Sequence, residues 1–483
     1  QRLLQALAPR ERRAVERRLA GKSQRLWQLL QQPSDQLRQA LHDEGYSSDY
    51  LAADLHKLYA QALDVAAQQA VEQHTSDEIG VYSLLQRALM LLQLRLPQQA
   101  LQWAKKAQEY AQLHELYGAA IEAAKLQQRC LKGLARTQEA IDLSPSIQDF
   151  SQLQTQQQRL YALYLQSENL RRQQAKARTA QASAQLQQLA QQALTLAEES
   201  DQSQFYSQFY LLEIQCNAAF VDDAVQAEWQ ANQALLRLYE QHPAQRLSQP
   251  LNYVVIATRL LVLQRRLQPD GFFEALQDYR ALPKRFDKQR QQIESMVFIF
   301  SYNYELETYL QQRRWSDALE LVPTVLAGLQ RYRHQVGDEF RLTCYFRFAV
   351  AYLFAGQPHT SLDYLQKILE EFGGDMRADV QRVARLVQLL AHYELGNWQL
   401  LAHLAQTSRY ALKKQKAVYE AEKLILSYFQ RLSRLRRQDA TRRLLWRLRD
   451  ALAEIFAASD YEKRLQDIFD FSHWLELKCA ENA

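Results

Sequence analysis

The residues of this chain that could do chemistry are few and widely spread. "AGKSQ" at residues 20–24 contains the Gly-Lys-Ser of a phosphate loop. A complete loop of that kind needs a glycine five residues before Gly21 and a strand leading into it. Glu16 stands at the first of these positions and a helix is predicted ahead of it, so the stretch reads as a helix terminus. The ten histidines show no HExxH or other short ligand spacing. His392 and His403 fall on successive predicted helices and could converge, but they read as packing or surface residues. No Gly-x-Ser-x-Gly elbow or Gly-x-Gly-x-x-Gly turn occurs, and nothing marks out a pair of carboxylates. Cys130, Cys216, Cys344 and Cys479 lie far apart with no Cys-x-x-Cys pair, which predicts reduced thiols packed in a core. The expectation is a chain that is not an enzyme, with no catalytic residue, metal or cofactor.

The cationic residues offer a different chemistry, the capture of anions. The formal charge of +5 is concentrated in two places. Residues 1–30 hold eight Lys/Arg against two Glu, and residues 431–449 hold eight Arg against Asp439. In "LRQALHDEGYSSDYLAADLHKLY", Leu41, Gly45 and Leu51 stand at helix-turn-helix spacing. A recognition helix presents Arg, Lys, Asn or Gln to bases and phosphates. This one offers Ser47, Ser48, Asp49 and Asp54, with only Lys57 basic. Arg10, Arg12, Arg13, Arg17 and Arg18 nevertheless stand as candidate contacts to nucleic acid or an acidic partner. In "RLSRLRRQDATRRLLWRLRD" the favoured reading is a capping hairpin, with Leu432, Leu435, Leu445 and Leu448 facing the core and the arginines solvating the outer face. An acidic-partner or membrane-surface patch is the other reading.

The elements that must position these groups are helical. Glycine (12 residues) and proline (10) are scarce while Leu, Ala, Gln, Arg and Glu dominate, which disfavours β-rich and doubly wound folds. Ala275, Ala318, Ser361 and Leu401 recur at spacings of 43, 43 and 40, each shortly after a turn. Ala440 follows at 39, and Ala100 and Ala140 are 40 apart. Such a period with helical patterning predicts helix pairs, each burying its apolar stripe against the next. The clearest unit, "FRFAVAYLFAGQPHTSLDYLQKIL", resembles a tetratricopeptide repeat. Ala349 lies three residues before Tyr352, Gly356 suits a left-handed cap, Ser361 is the small residue between two helices, and Leu365 and Ile368 pack a turn later. Tyr309 and Ala318 hold the same places in the preceding unit, and Ala88, Ala100 and Ala107 in an early one. The resemblance implies an all-α, right-handed superhelical solenoid of roughly eight or nine hairpins, with helices longer than the standard by about one turn.

Three regions follow from this pattern: a helical N-terminal cap at 1–72, repeats at 73–430 and basic capping helices at 431–483. Within the first, Pro9 suits a first helical turn and Gly21 its close. A helix around Asp35–His42, a turn at Glu44–Tyr46 and a helix from Ser48 to Ala67 are expected next. "LLQALAPRERRAVERRL" and "SDYLAADLHKLYAQAL", placed before the repeats, are similar to the opening of a family of Bacteroidota tetratricopeptide proteins to which no activity is assigned. Capping boxes are expected at Thr75–Glu78 and Ser459–Glu462, and Pro145, Pro250 and Pro269 mark breaks. Residues 150–200, Gln- and Ala-rich with few core anchors, read as a long, partly exposed hairpin or a coiled-coil partner site without sustained heptads. No repeat register is legible between 150 and 245.

A stack of hairpins leaves an extended inner surface, and such surfaces bind chains. The expected function is therefore a non-catalytic scaffold for a protein or peptide segment. Asn303, Tyr304, Glu307 and Arg347 are its candidate groove residues. Arg347→Glu is expected to weaken partner binding and leave stability almost intact. The two-lysine, two-asparagine carboxylate clamp of chaperone adaptors is not reproduced, because Phe346 takes the place equivalent to Asn303. The alternative is a transcriptional regulator whose N-terminal helices bind DNA and whose repeats sense a peptide. No apolar run approaches the ~20 residues of a membrane span and no leader is visible from Gln1 onward, so a cytoplasmic location is expected.

Overall fold

The computed structural model describes residues 9–19, 21–31, 41, 51, 53–62, 77–174, 180–198, 204–287, 289–373, 376–414, 419–432 and 438–481. Among them the regular structure is α-helix with two short 3-10 turns, and there is no strand. The chain forms two compact units, residues 1–293 and 294–483.

In the first unit α1 (Pro9–Arg18) and α2 (Gly21–Leu29) are followed by a helical run at 53–62. Val15, Leu19, Leu26, Trp27, Leu58 and Ala62 join these in a small core. Gly21 opens α2 rather than closing α1, because the chain has already left α1 at Leu19, whose side chain is buried. Lys22 and Ser23 are thus helical residues, and the Gly-Lys-Ser stretch forms no loop. The helix expected at 35–42, apart from Leu41, lies outside the described residues, as do the turn at Glu44–Tyr46 and Thr75. The unit continues with α3 (Asp77–Gln93), α4 (Pro97–Leu113), α5 (Tyr117–Gly133), α6 (Thr137–Asp142), α7 (Ser144–Gln174) and α8 (Ala180–Glu198). Then come α9 (Phe205–Val221), α10 (Val225–Gln241), α11 (Pro243–Ser248), α12 (Pro250–Leu267) and α13 (Phe272–Ala281). Pro145, Pro250 and Pro269 each stand at the first or second residue of a helix or 3-10 turn, where a missing N–H costs nothing. The α7–α8 hairpin is better anchored than its composition suggests: Leu160, Leu186, Leu189 and Ala193 are buried with Ile214 of α9. Their spacing was obscured by the glutamines between them.

α14 (Arg290–Gln311) leads into the second unit, followed by α15 (Trp315–Arg331), α16 (Asp338–Phe354), α17 (Pro358–Glu371), α18 (Ala378–Glu394) and α19 (Trp398–Lys414). The chain ends with α20 (Glu420–Leu432), α21 (Gln438–Ala458), α22 (Asp460–Ile468) and α23 (Phe471–Glu481). Consecutive helices pack on one another, and α16 also touches α18 as α18 touches α20.

One local geometry recurs at the helix junctions. Arg95, Glu115, Ala135, Asp223, Arg313, Gly356 and Gly396 all have left-handed φ angles, between 53° and 73°. Each lies two residues before a helix start. In every case its N–H reaches back three residues to a carbonyl, and the next N–H reaches back five, as in Arg313 to Leu310 and Arg314 to Tyr309. This is the Schellman closure, which satisfies carbonyls orphaned at a helix end. Arg95, Glu115 and Ala135 are 20 residues apart, and Arg313, Gly356 and Gly396 are 43 and 40 apart. The 40-residue period is thus two helix-plus-turn units. Glycine supplies only two of the seven turns, which is how the fold forms with so little of it.

The fourth residue of the helix that follows each of these turns decides how closely helices approach. Ala100, Ala120, Ala318, Ser361 and Leu401 occupy that place and are fully buried. Ser361 is accommodated because its hydroxyl donates to the Ala349 carbonyl of α16 at 2.7 Å. Ala140, Ala275 and Ala440 are only half-buried. In the second unit a single core runs from Phe298 to Cys479 and takes in Leu432, Leu445, Leu448, Phe469, Phe471 and Trp474. Leu435 lies outside the described residues. All four cysteines are buried thiols.

Candidate functional site

The second unit contains a cleft of about 430 Å³. Its floor is apolar, with Leu310 of α14, Phe346, Val350 and Phe354 of α16, and Val380 of α18. Its far wall is the chain between α22 and α23, where Ile468, Phe469 and Asp470 return to α16. Aromatic stacking fixes that return. Phe354 lies parallel to Trp315 (centroids 4.4 Å, 10°) and to Phe469 (5.4 Å, 17°), with the His473 ring 5.5 Å away. Trp474 donates from Nε1 to Glu394 of α18 at 2.9 Å, and Lys478 reaches the same carboxylate at 2.8 Å.

The rim carries charges of both signs. Arg313, held in its turn conformation, donates to Asp470 Oδ2 at 3.1 Å across the mouth. Arg377, left-handed at φ 44°, forks onto Asp379 at 3.0 and 2.8 Å and points its remaining nitrogen at Thr343 Oγ1, 3.4 Å away. Burial would raise the Asp379 carboxyl, but the Arg377 guanidinium more than offsets this and holds it below the usual carboxylate range.

Arg347 is the innermost cation. Nη1 donates to both the backbone and the side-chain oxygen of Asn303 at 2.6 Å, and Nη2 donates to Glu307 at 3.1 Å. Three of the four residues predicted for the groove are therefore brought together. Tyr304 is not: its ring stacks on Phe300, 6.2 Å away, off the cleft. Arg347 ties α16 to α14, so reversing its charge is expected to cost stability as well as binding. The same device recurs between other helices that are not consecutive. Arg382 of α18 forks onto Glu422 of α20 with both side chains buried, and Arg259 of α12 holds the buried Glu213 of α9 at 2.8 Å.

Arg13, Arg17 and Arg18 are exposed on α1, while the side chains of Arg10 and Arg12 lie outside the described residues. His392 is half-buried, its imidazole pushed below the ordinary value by burial, and His403 is exposed. Among the described residues no cluster of three His, Cys, Asp or Glu can hold a metal ion. Sequence reasoning missed Thr343, Arg377, Phe469 and Asp470. Arg313–Asp470 spans 157 positions and Trp474–Glu394 spans 80, distances over which no periodic pattern points. Among the described residues no helix is long and apolar enough to cross a membrane. No protein-family model and no curated protein matches this chain.

Proposed function

We propose that the chain is a non-catalytic scaffold, built of tetratricopeptide-like hairpins in a solenoid, that holds a protein or peptide segment in the cleft of its second unit. The observation carrying this reading is the combination of an apolar floor with a rim of both charges, Arg313, Arg347 and Arg377 against Glu307 and Asp470. An extended peptide presents apolar side chains alternating with polar backbone groups and matches such a surface. Support also comes from the titratable groups. Several of the strongly bonded carboxylates close contacts between helices, as Glu307 and Glu422 do. In the first unit Glu115 accepts from the N–H groups of Phe205 and Tyr206 at 2.6 and 3.0 Å, and Tyr110 donates to Asp77 at 3.0 Å. These groups are used for holding elements together.

A photo-crosslinking residue at Gln311, exposed on the cleft edge, tests the reading against the same residue at Gln330 on the outer face of α15. A discrete protein captured from native lysate at Gln311 and absent at Gln330 is the expected result. Equal capture at both positions, or none at Gln311, would sink it. Location in the cytoplasm remains part of this proposal.

A further inference from the structure

α3 packs on α4 and α5 through Val81, Leu85 and Ala88 and leaves its other side open. α5, of the same length and with neighbours on both sides, buries nine of its residues where α3 buries five. On the open side Glu78, Tyr82, Gln86, Leu89 and Gln93 are exposed at spacings of four, four, three and four, which places them on one face of the helix. Met90 lies beside them, and Leu94 follows in the turn, both exposed. Tyr82 and Met90 are 57% and 62% exposed. Single apolar side chains on a surface are ordinary, but three on one helix face and a fourth just past it form a patch.

The charges of the helix indicate what covers this patch. Glu78 stands at one end of the face and Arg95, exposed in the turn, at the other, roughly 25 Å away at about 1.5 Å per residue. Among the described residues neither forms an ion pair. The remaining charges are occupied elsewhere: Asp77 by Tyr110 and His114, and Arg87 over the Trp103 ring at 5.1 Å, off the face. A face with an acid at one end, a base at the other and an apolar middle is complementary to itself turned end for end. With a two-fold axis between residues 86 and 87, Glu78 of each copy meets Arg95 of the other. Tyr82 then falls within two residues of Leu89 and Met90 across the axis. A membrane-surface helix would instead carry several Lys or Arg beside its apolar stripe, and α3 itself has only Arg87. We propose that α3 joins two copies of this chain as an antiparallel, two-fold helix pair. This surface is independent of the peptide cleft. One helix pair of this length stands at the small end of specific interfaces, so the dimer forms reversibly in the micromolar range.

The test is sedimentation equilibrium of the full chain from about 1 to 100 μM, which brackets a dissociation constant of that order. The mass of the wild type should rise from one chain towards two. Leu89→Lys with Met90→Lys, both at exposed positions, should abolish the rise, with circular dichroism confirming that the variant is folded. Glu78→Arg alone and Arg95→Glu alone should each weaken association by about tenfold, because both cross-pairs then join like charges. An equimolar mixture of these two single variants should associate as the wild type does, since both of its cross-pairs join unlike charges. The proposal is overturned if the wild type stays monomeric across the range, or if the Lys pair associates unchanged. It is equally overturned if the mixture associates no better than either variant alone. Flotation of the wild type on lipid vesicles, lost in the Lys pair and without a dimer in solution, would assign the patch to a membrane surface and overturn it as well.

Discussion

At the scale of single residues, the recurring turn makes a sign-specific claim. A non-glycine residue in the left-handed region is strained, so Ala135→Gly should stabilise the chain by about 0.5–1 kcal/mol. Gly396→Ala should cost a similar amount. Ala135 is exposed, and a Cβ at Gly396 meets only ordinary contact, so backbone strain is the term being changed. Gly328 of α15 differs. A Cβ there would stand 2.0 Å from the Phe298 ring, and Gly328→Ala should cost about 1–3 kcal/mol through overpacking. Urea midpoints of the three variants separate these effects. Arg347→Glu would place a carboxylate against Glu307 and the Asn303 carbonyl in a largely buried site, a loss of about 2–4 kcal/mol. Its role as a clamp was illegible in the sequence because its partners are 40 and 44 residues away.

At the scale of elements, the fourth position of the helix after the turn is where the helical repeat was readable, because a crowded contact limits side-chain size locally. Ala318→Leu should cost about 1–3 kcal/mol, and Ala275→Leu, at a half-buried site, less than about 1 kcal/mol. In α10 the same place holds Glu228, where burial raises the carboxyl above its ordinary value despite Arg266 and Arg259. The folded state then binds a proton more tightly than the unfolded state. Its contribution is favourable below the ordinary glutamate range and is lost as pH rises through the raised value. Glu228→Gln should therefore raise the Tm near neutral pH, and the gain should vanish in acid, where Glu228 is protonated in both states. The expected capping box at Ser459 is only half used for its own helix. Ser459 accepts from the Glu462 N–H, but the Glu462 carboxylate caps α20 instead, through the N–H groups of Glu420 and Ala421. Local pattern found the cap; the diversion to another helix is a tertiary event.

At the scale of the whole molecule, the helical class followed from composition and the 40-residue period, and circular dichroism should show helix without strand. The construction of the cleft was not legible, because its far wall comes from the chain terminus. That wall is also core: Trp474, Phe469 and Phe471 are nearly fully buried. Trp474→Ala should cost about 3–5 kcal/mol in a thermal melt and release Phe469 from Phe354. The most direct test of the central claim is hydrogen exchange of the full chain with and without the segment captured at Gln311. Peptide binding in the cleft predicts new protection in 343–354 and 466–470. Protection confined to residues 1–293, or absent altogether, would contradict it.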